Sequence, residues 1–148
     1  MNLSEHFTLE EATVSQTAAR MGIDNQPDAA MIDALRNTAQ FMEHVRDILG
    51  KPIVVTSWYR CPELEAVIAP GKRAVGHHTL GAAVDFICPG YGSPLEIASR
   101  LSTMTAALGI GQLIYEFGSW VHISRLPVAP VNRVLTIDRR GVLVGIVP

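Results

Sequence analysis

The sequence predicts an α+β fold, with helices first and a mostly antiparallel sheet after them. Three observations carry this. Apolar residues recur at helical spacing before residue 50, and short β-branched or alternating runs dominate after it. Capping and turn residues mark nearly every change of pattern. No repeat, linker or low-complexity segment interrupts residues 1–148, so they read as one unit.

Taken in order, "TLEEATVSQTAARMG" opens with Thr8 and Glu11 at capping-box spacing and closes at Gly22, which predicts one short helix. In "IDNQPDAAMIDALRNTAQFMEHVRDILG", Pro27 and Asp28 start a longer helix and Gly50 stops it. Met31, Leu35, Ala39, Met42 and Val45 or Ile48 form its apolar stripe, and His44 reads as a solvated or satisfied helix residue. "PIVVTSWYR" is rich in branched residues and reads as a strand, ended by Pro62 with a helical turn around "ELEAVI". "APGKRAVGHHTLG" has the Gly, Pro and Lys content of an exposed loop. "AAVDFIC" is the next strand, and "SPLEIASRLSTMTAALG" is a helix from Ser93-Pro94 to Gly109. Four strands follow: "QLIYEF", "WVHISR", "RVLTID" and "GVLVGIV".

Composition removes several function classes. A 48% hydrophobic, 18% charged chain of 148 residues folds and can bury roughly 70% of its extended surface. Its net charge of −2, without a Lys/Arg stripe, offers no footprint for nucleic acid. No apolar run approaches the ~20 residues of a membrane span, and "MNLSEHFTLEEATVSQ" has no apolar signal region. The expectation is a protein made in the cytoplasm, with His6 and its acidic neighbours in a solvated N-terminus. Cys61 and Cys88 are too few for a disulfide scaffold and read as free buried thiols, both near the cleft.

The chemistry gathers around "GHHTLGAAVDF", residues 76–86. Strand alternation puts Ala83, Asp85 and Ile87 on one face, and a carboxylate beside a small residue has the room a metal ligand needs. Histidine stands in the loop ahead, where Gly81 permits a tight turn. A third donor comes from "WVHIS", in which Trp120, His122 and Ser124 share a face. Three protein ligands with one open position describe a catalytic zinc site. Glu116 is a candidate base six residues before His122. A two-residue Gly118-Ser119 turn would send it to the opposite face. A three-residue Gly118-Ser119-Trp120 loop would pair it with His122, β-carbons ~5 Å apart. The second register also gathers Leu113, Tyr115, Phe117, Val121 and Ile123 on one apolar face, and it is the one expected.

These residues match a known pattern. "GHHTLGAAVD" resembles the Ser-x-His-x-x-Gly-x-Ala-x-Asp motif of zinc D-Ala-D-Ala carboxypeptidases and L-alanyl-D-glutamate endopeptidases, which cut peptidoglycan peptides. "YEFGSWVHIS" resembles the closing segment of that family, and its Glu-to-His step also resembles the hedgehog signalling domain. "TSWYRCPELE" is similar to the family's Ser-x-Tyr-Arg segment, and "IDNQP" and "NRVLTID" to flanking segments of its phage-type branch. The resemblance covers nearly the whole chain. It implies a hedgehog/DD-peptidase-like domain with one zinc ion on His78, Asp85 and His122. Glu116 would be the general base, and Arg60 would hold a substrate carboxylate or carbonyl oxygen. Ser57, Tyr59, Trp120 and His77 would line the cleft.

The implied protein is a monomeric zinc peptidase of stem peptides, in one form a phage endolysin acting on the wall after release. Gly76 replaces the motif's Ser, and Glu65 stands where the phage-type branch often has Asn. Ser119 occupies the position from which some relatives supply the base, so here the base is Glu116 or the protein is inactive. Those departures keep a second reading open, a catalytically silent wall-binding or phage structural module on the same fold. A structural zinc site fits less well, because such sites close with four protein ligands.

Overall fold

The computed structural model describes residues 1–71, 76–127 and 133–148. Residues 72–75 of the expected exposed loop, and Asn132 of the flanking motif, lie outside the described residues. The chain runs α1 (Leu9–Thr13), α2 (Gln16–Met21), α3 (Ala29–Leu49), β1 (Val54–Ser57), α4 (Pro62–Ile68) and β2 (Ala83–Ile87). It continues with α5 (Pro94–Ser102), α6 (Thr105–Leu108), β3 (Ile110–Glu116), β4 (Trp120–Arg125), β5 (Arg133–Asp138) and β6 (Gly141–Val144). The six strands lie in the order β1-β2-β4-β3-β5-β6, antiparallel except for the parallel β3–β5 pair. This is the α+β architecture that the sequence predicts. Among the described residues no helix is long and apolar enough to cross a membrane.

The longest helix follows its caps. The Asp28 carboxylate accepts from the Met31 N–H, and Gly50 ends α3 in the left-handed region at φ 67°. Leu35, Ala39, Met42, Val45 and Leu49 are buried along its inner side. They pack with Ile97, Ala98 and Leu101 of α5 against Val84, Phe86, Leu113, Val121 and Ile123 of the sheet. Each fully buried Leu, Ile or Phe contributes about 1.5–3 kcal/mol, so this layer supplies most of the folding drive. Alternation along the strands sends Ala83, Asp85 and His122 to the opposite face. One face of the sheet makes the core and the other is left for the polar cluster.

Three expectations change. The predicted first helix is two, because Val14 is extended and the Ser15 hydroxyl starts α2 by accepting from the Ala18 N–H. The predicted 93–109 helix also divides. Ser102 and Thr103 turn their hydroxyls back onto the Ser99 and Arg100 carbonyls at 2.8 Å, and α5 stops there. Strand β1 ends at Ser57, since Trp58 turns inward to 1% exposure and the Tyr59 N–H goes to the Ala12 carbonyl. His6 and Glu5 are exposed, as expected, yet the N-terminal segment around them is pinned. Leu3 and Phe7 are buried, Phe7 meets Trp58 edge-on at 6.2 Å, and His6 Nδ1 lies 2.8 Å from the Glu43 carboxylate.

Asn25 ties this N-terminal layer to the segment after β1. Its side-chain amide donates to the Thr13 and Tyr59 carbonyls at 2.9 and 3.0 Å, and its oxygen accepts from the Cys61 N–H at 2.8 Å. At 5% exposure little water can replace those bonds. Asn25→Ala is expected to lower the unfolding free energy by about 2–4 kcal/mol in urea titrations. A loss under about 0.5 kcal/mol would show that the bridge contributes little.

Candidate metal centre

Strand register assembles the site. A row crosses the sheet in which Ser57 pairs with Asp85, Asp85 with His122, and His122 with Ile114. Directly opposed residues on antiparallel strands bring their side chains together. Asp85 Oδ1 lies 2.9 Å from His122 Nδ1. The other carboxylate oxygen, Oδ2, lies 3.3 Å from Nε2 of His78, which enters from the turn ahead of β2. One ligand atom from each of the three lies within 4.8 Å of the others, and all three residues are buried.

That turn is held from several sides. The Gly81 N–H donates to the His78 carbonyl at 3.1 Å, and the Ala82 N–H to that of His77 at 2.9 Å. The Gly81 carbonyl accepts from the Thr38 hydroxyl of α3 at 2.7 Å and from the Trp58 indole at 3.1 Å. Thr38 in turn accepts from Arg125 Nε at 2.7 Å. Gly81 is required here. Its φ is 68°, and an added Cβ would meet Met31 Sδ at 2.9 Å and Leu35 Cδ2 at 3.0 Å.

The protons follow from the partners. His78 Nδ1 lies 2.6 Å from the Trp58 carbonyl oxygen, which can only accept, so Nδ1 carries the hydrogen. In the neutral ring Nε2 then points a lone pair at a carboxylate oxygen, and two acceptors face one another. A shared cation resolves this conflict, and a backbone carbonyl behind a ligating histidine is the usual way to fix its tautomer. The donor set of two imidazoles and one carboxylate suits zinc and leaves a coordination position open. Burial alone would raise the Asp85 pKa. When no cation is bound and the rings are protonated instead, hydrogen bonds from His122 and His78, with their charges, outweigh burial and hold it well below the ordinary carboxylate range.

Arg60 closes one side. Its Nη2 lies 3.6 Å from Asp85 Oδ2, its Nη1 lies 3.3 Å from Glu65 Oε2, and its Nε donates to Ser57 Oγ at 3.2 Å. The Arg60 N–H also meets the His78 carbonyl at 3.3 Å, so the two segments are tied through backbone as well. Ser57, Tyr59 and Arg60 line a cavity of about 340 Å³ whose other wall is residues 14–17, Thr56 and Ile68. None of the three clustered residues lines that cavity, and Arg60 stands between the two.

Glu116 is brought to the cluster by a different register from the expected one. It pairs with Trp120, not His122, and its Oε1 lies 3.8 Å from His122 Nδ1. Phe117 and Gly118 adopt φ of 52° and 63°, so the loop is Phe117-Gly118-Ser119 and the strand ends one residue early. The Phe117 N–H goes to the Ile137 carbonyl of β5 at 2.8 Å, and its side chain leaves the expected apolar face, 52% exposed. A two-residue shift keeps every side chain on its face, which is why Glu116 still reaches His122 diagonally.

The remaining candidates fall around this group. The His77 ring stacks on His122 with centroids 6.5 Å apart, and Trp120 packs against Phe117 at 5.9 Å. Tyr59 is 8% exposed, and burial pushes its phenol pKa up. A serine at Gly76 would meet nothing within 4 Å, so space does not explain its absence. Both cysteines are free, but Cys88 turns away to the Pro52 carbonyl at 3.2 Å. Sequence reasoning missed Trp58, Thr38 and Asn25. A polar Thr38 on the buried stripe of α3 was a usable signal; that the Trp58 carbonyl would meet His78 had none.

A family model described as Peptidase M15 matches residues 5–124. No curated protein and no solved structure matches the chain.

Gly81→Ala is expected to weaken zinc binding about 10–100-fold, as loss of an orienting shell does. Competition with a chromophoric chelator measures this. Unchanged affinity in a folded variant would show that the turn does not orient His78.

Proposed function

The chain belongs to the peptidase M15 family, and from that premise we propose that it hydrolyses peptide bonds in the stem peptides of bacterial peptidoglycan. Membership makes it a metallopeptidase, and peptidases of this family are zinc-dependent. The observation that carries the reading is the convergence of His78, Asp85 and His122 within 4.8 Å, with Glu116 beside them.

His78 Nε2, an Asp85 oxygen and His122 Nδ1 would hold one zinc ion. When bound, the ion supplies Lewis acidity to the attacking water and to the scissile carbonyl. Glu116 has the complementary task. Its carboxylate, 3.8 Å from His122 Nδ1, accepts a proton as the water oxygen bonds to the carbonyl carbon, and passes it to the amine as the C–N bond breaks. Arg60 directs N–H groups towards the substrate oxygen, with Ser57 and Glu65 fixing its plane. Tyr59, His77 and Trp120 form the walls. In this reading the chain works as a monomer on the wall after release, as a phage endolysin does. The likeness of "IDNQP" and "NRVLTID" to segments of the phage-type branch supports the phage part of that reading.

The test is digestion of purified peptidoglycan by zinc-loaded protein, with products read by mass spectrometry. Stem-peptide fragments are expected, lost on chelation and restored by zinc. Glu116→Ala is expected to keep fold and zinc while kcat falls about 10²–10⁴-fold. Retained turnover would eliminate Glu116 as the base. Intact wall from zinc-loaded wild-type protein would favour a silent binding module.

A further inference from the structure

We propose that Glu65 is a specificity-determining residue: by neutralising Arg60 it makes the site select peptides whose chain is uncharged beyond the scissile bond and reject those that end there in a free carboxylate. The inference rests on the peptidase reading above and names its substrate class, an internal peptide bond.

Arg60 is already engaged on several sides. A guanidinium offers five N–H donors in a fixed fork, and it recognises a carboxylate best when an edge is vacant. Here Nη1 is 3.3 Å from Glu65 Oε2, Nε is on Ser57, and Nη2 faces Asp85 at 3.6 Å. The Glu65 side chain is only 11% exposed, so water does little to screen its charge from an incoming anion. A substrate carboxylate would have to share one guanidinium with a buried carboxylate. Like charges placed together in a desolvated site repel strongly. A neutral carbonyl oxygen accepts from the same N–H groups without that cost.

Charge balance points the same way. Glu65, Asp85 and Glu116 carry three negative charges, which Arg60 and a divalent ion together offset. Without Glu65 one positive charge is in surplus, which is what a terminal carboxylate needs. The adjoining cavity agrees. Among the described residues Arg60 is its one charged lining residue, and Ser15, Gln16, Thr17 and Thr56 offer neutral hydrogen-bonding groups. At about 340 Å³ it has room for chain that continues past Arg60.

The opposite role is also testable, since a carboxylate behind an arginine can aim it at an anion. The probes are N-acetyl-L-lysyl-D-alanyl-D-alanine and its C-terminal amide, which differ only in the final charge. Calorimetry on the zinc-loaded Glu116→Asp protein, which keeps the charge at that position while drawing the base back, measures affinity with turnover suppressed. The amide is expected to bind about tenfold more tightly, and adding Glu65→Gln or Glu65→Asn is expected to reverse the order. Tighter binding of the acid by the chain that keeps Glu65 overturns the inference, with no need for either variant to fold. So does an acid-to-amide ratio that neither folded variant moves, and so does failure of both peptides to bind. Hydrolysis separates the two readings. If wild-type protein cuts neither peptide and releases no fragment from purified peptidoglycan while the binding order holds, the peptidase reading fails and the selectivity stands. Preferential cutting of the acid upholds the peptidase and removes the selectivity.

Discussion

A buried carboxylate organises this molecule. Asp85 is 6% exposed in the middle of a sheet, where an unpaired charge would cost several kcal/mol. It is tolerated because each oxygen has a partner: His122 on one and Arg60 on the other, where His78 Nε2 is also placed to share a cation. Each partner comes from a different element, so the requirement to satisfy one charge constrains the β2–β4 register, the turn ahead of β2 and the segment after β1 together. The two-faced sheet makes this possible. Packing of α3 and α5 on one face supplies the stability with which the other can hold polar groups out of water.

Around that charge lies a layer whose task is orientation. The Trp58 carbonyl sets the His78 tautomer while the Trp58 indole holds Gly81, so one residue fixes both the ring and the turn that carries it. Thr38 links the same turn to α3 and to Arg125. A ligand set anchored to a helix, an indole and a strand keeps its geometry without the metal, and preorganisation of that kind lets an ion bind without first ordering the chain.

Much of this was legible in the sequence, for identifiable reasons. Asp28 and Gly50 are local signals and bounded α3 correctly. Alternation in "AAVDFI" put Asp85 on its proper face, and the same logic put His122 beside it. The β3–β4 hairpin was misread because "FGSW" advertises Gly118 as the turn residue, whereas Phe117 also takes a positive φ with its N–H held by β5. No local signal encodes that, since it depends on a parallel strand 20 residues away (Ile137). The breaks at Val14 and after Ser102 were hidden by good helix formers on either side. The Arg60–Glu65 pair was visible only as two charges five residues apart, and its meaning depends on where α4 aims Glu65.

The cluster is charge-balanced once a divalent ion is counted, and Glu116 pairs with Trp120, two residues along β4 from His122. All of this depends on the identity of the three ligands. X-ray absorption spectroscopy of the zinc-loaded protein, with zinc content measured on the same sample, tests that most directly. The account predicts stoichiometric zinc in a shell of two imidazole nitrogens and oxygen, without sulfur, that disappears with Asp85→Ala. A sulfur shell from Cys61, or the same shell surviving Asp85→Ala, would contradict it.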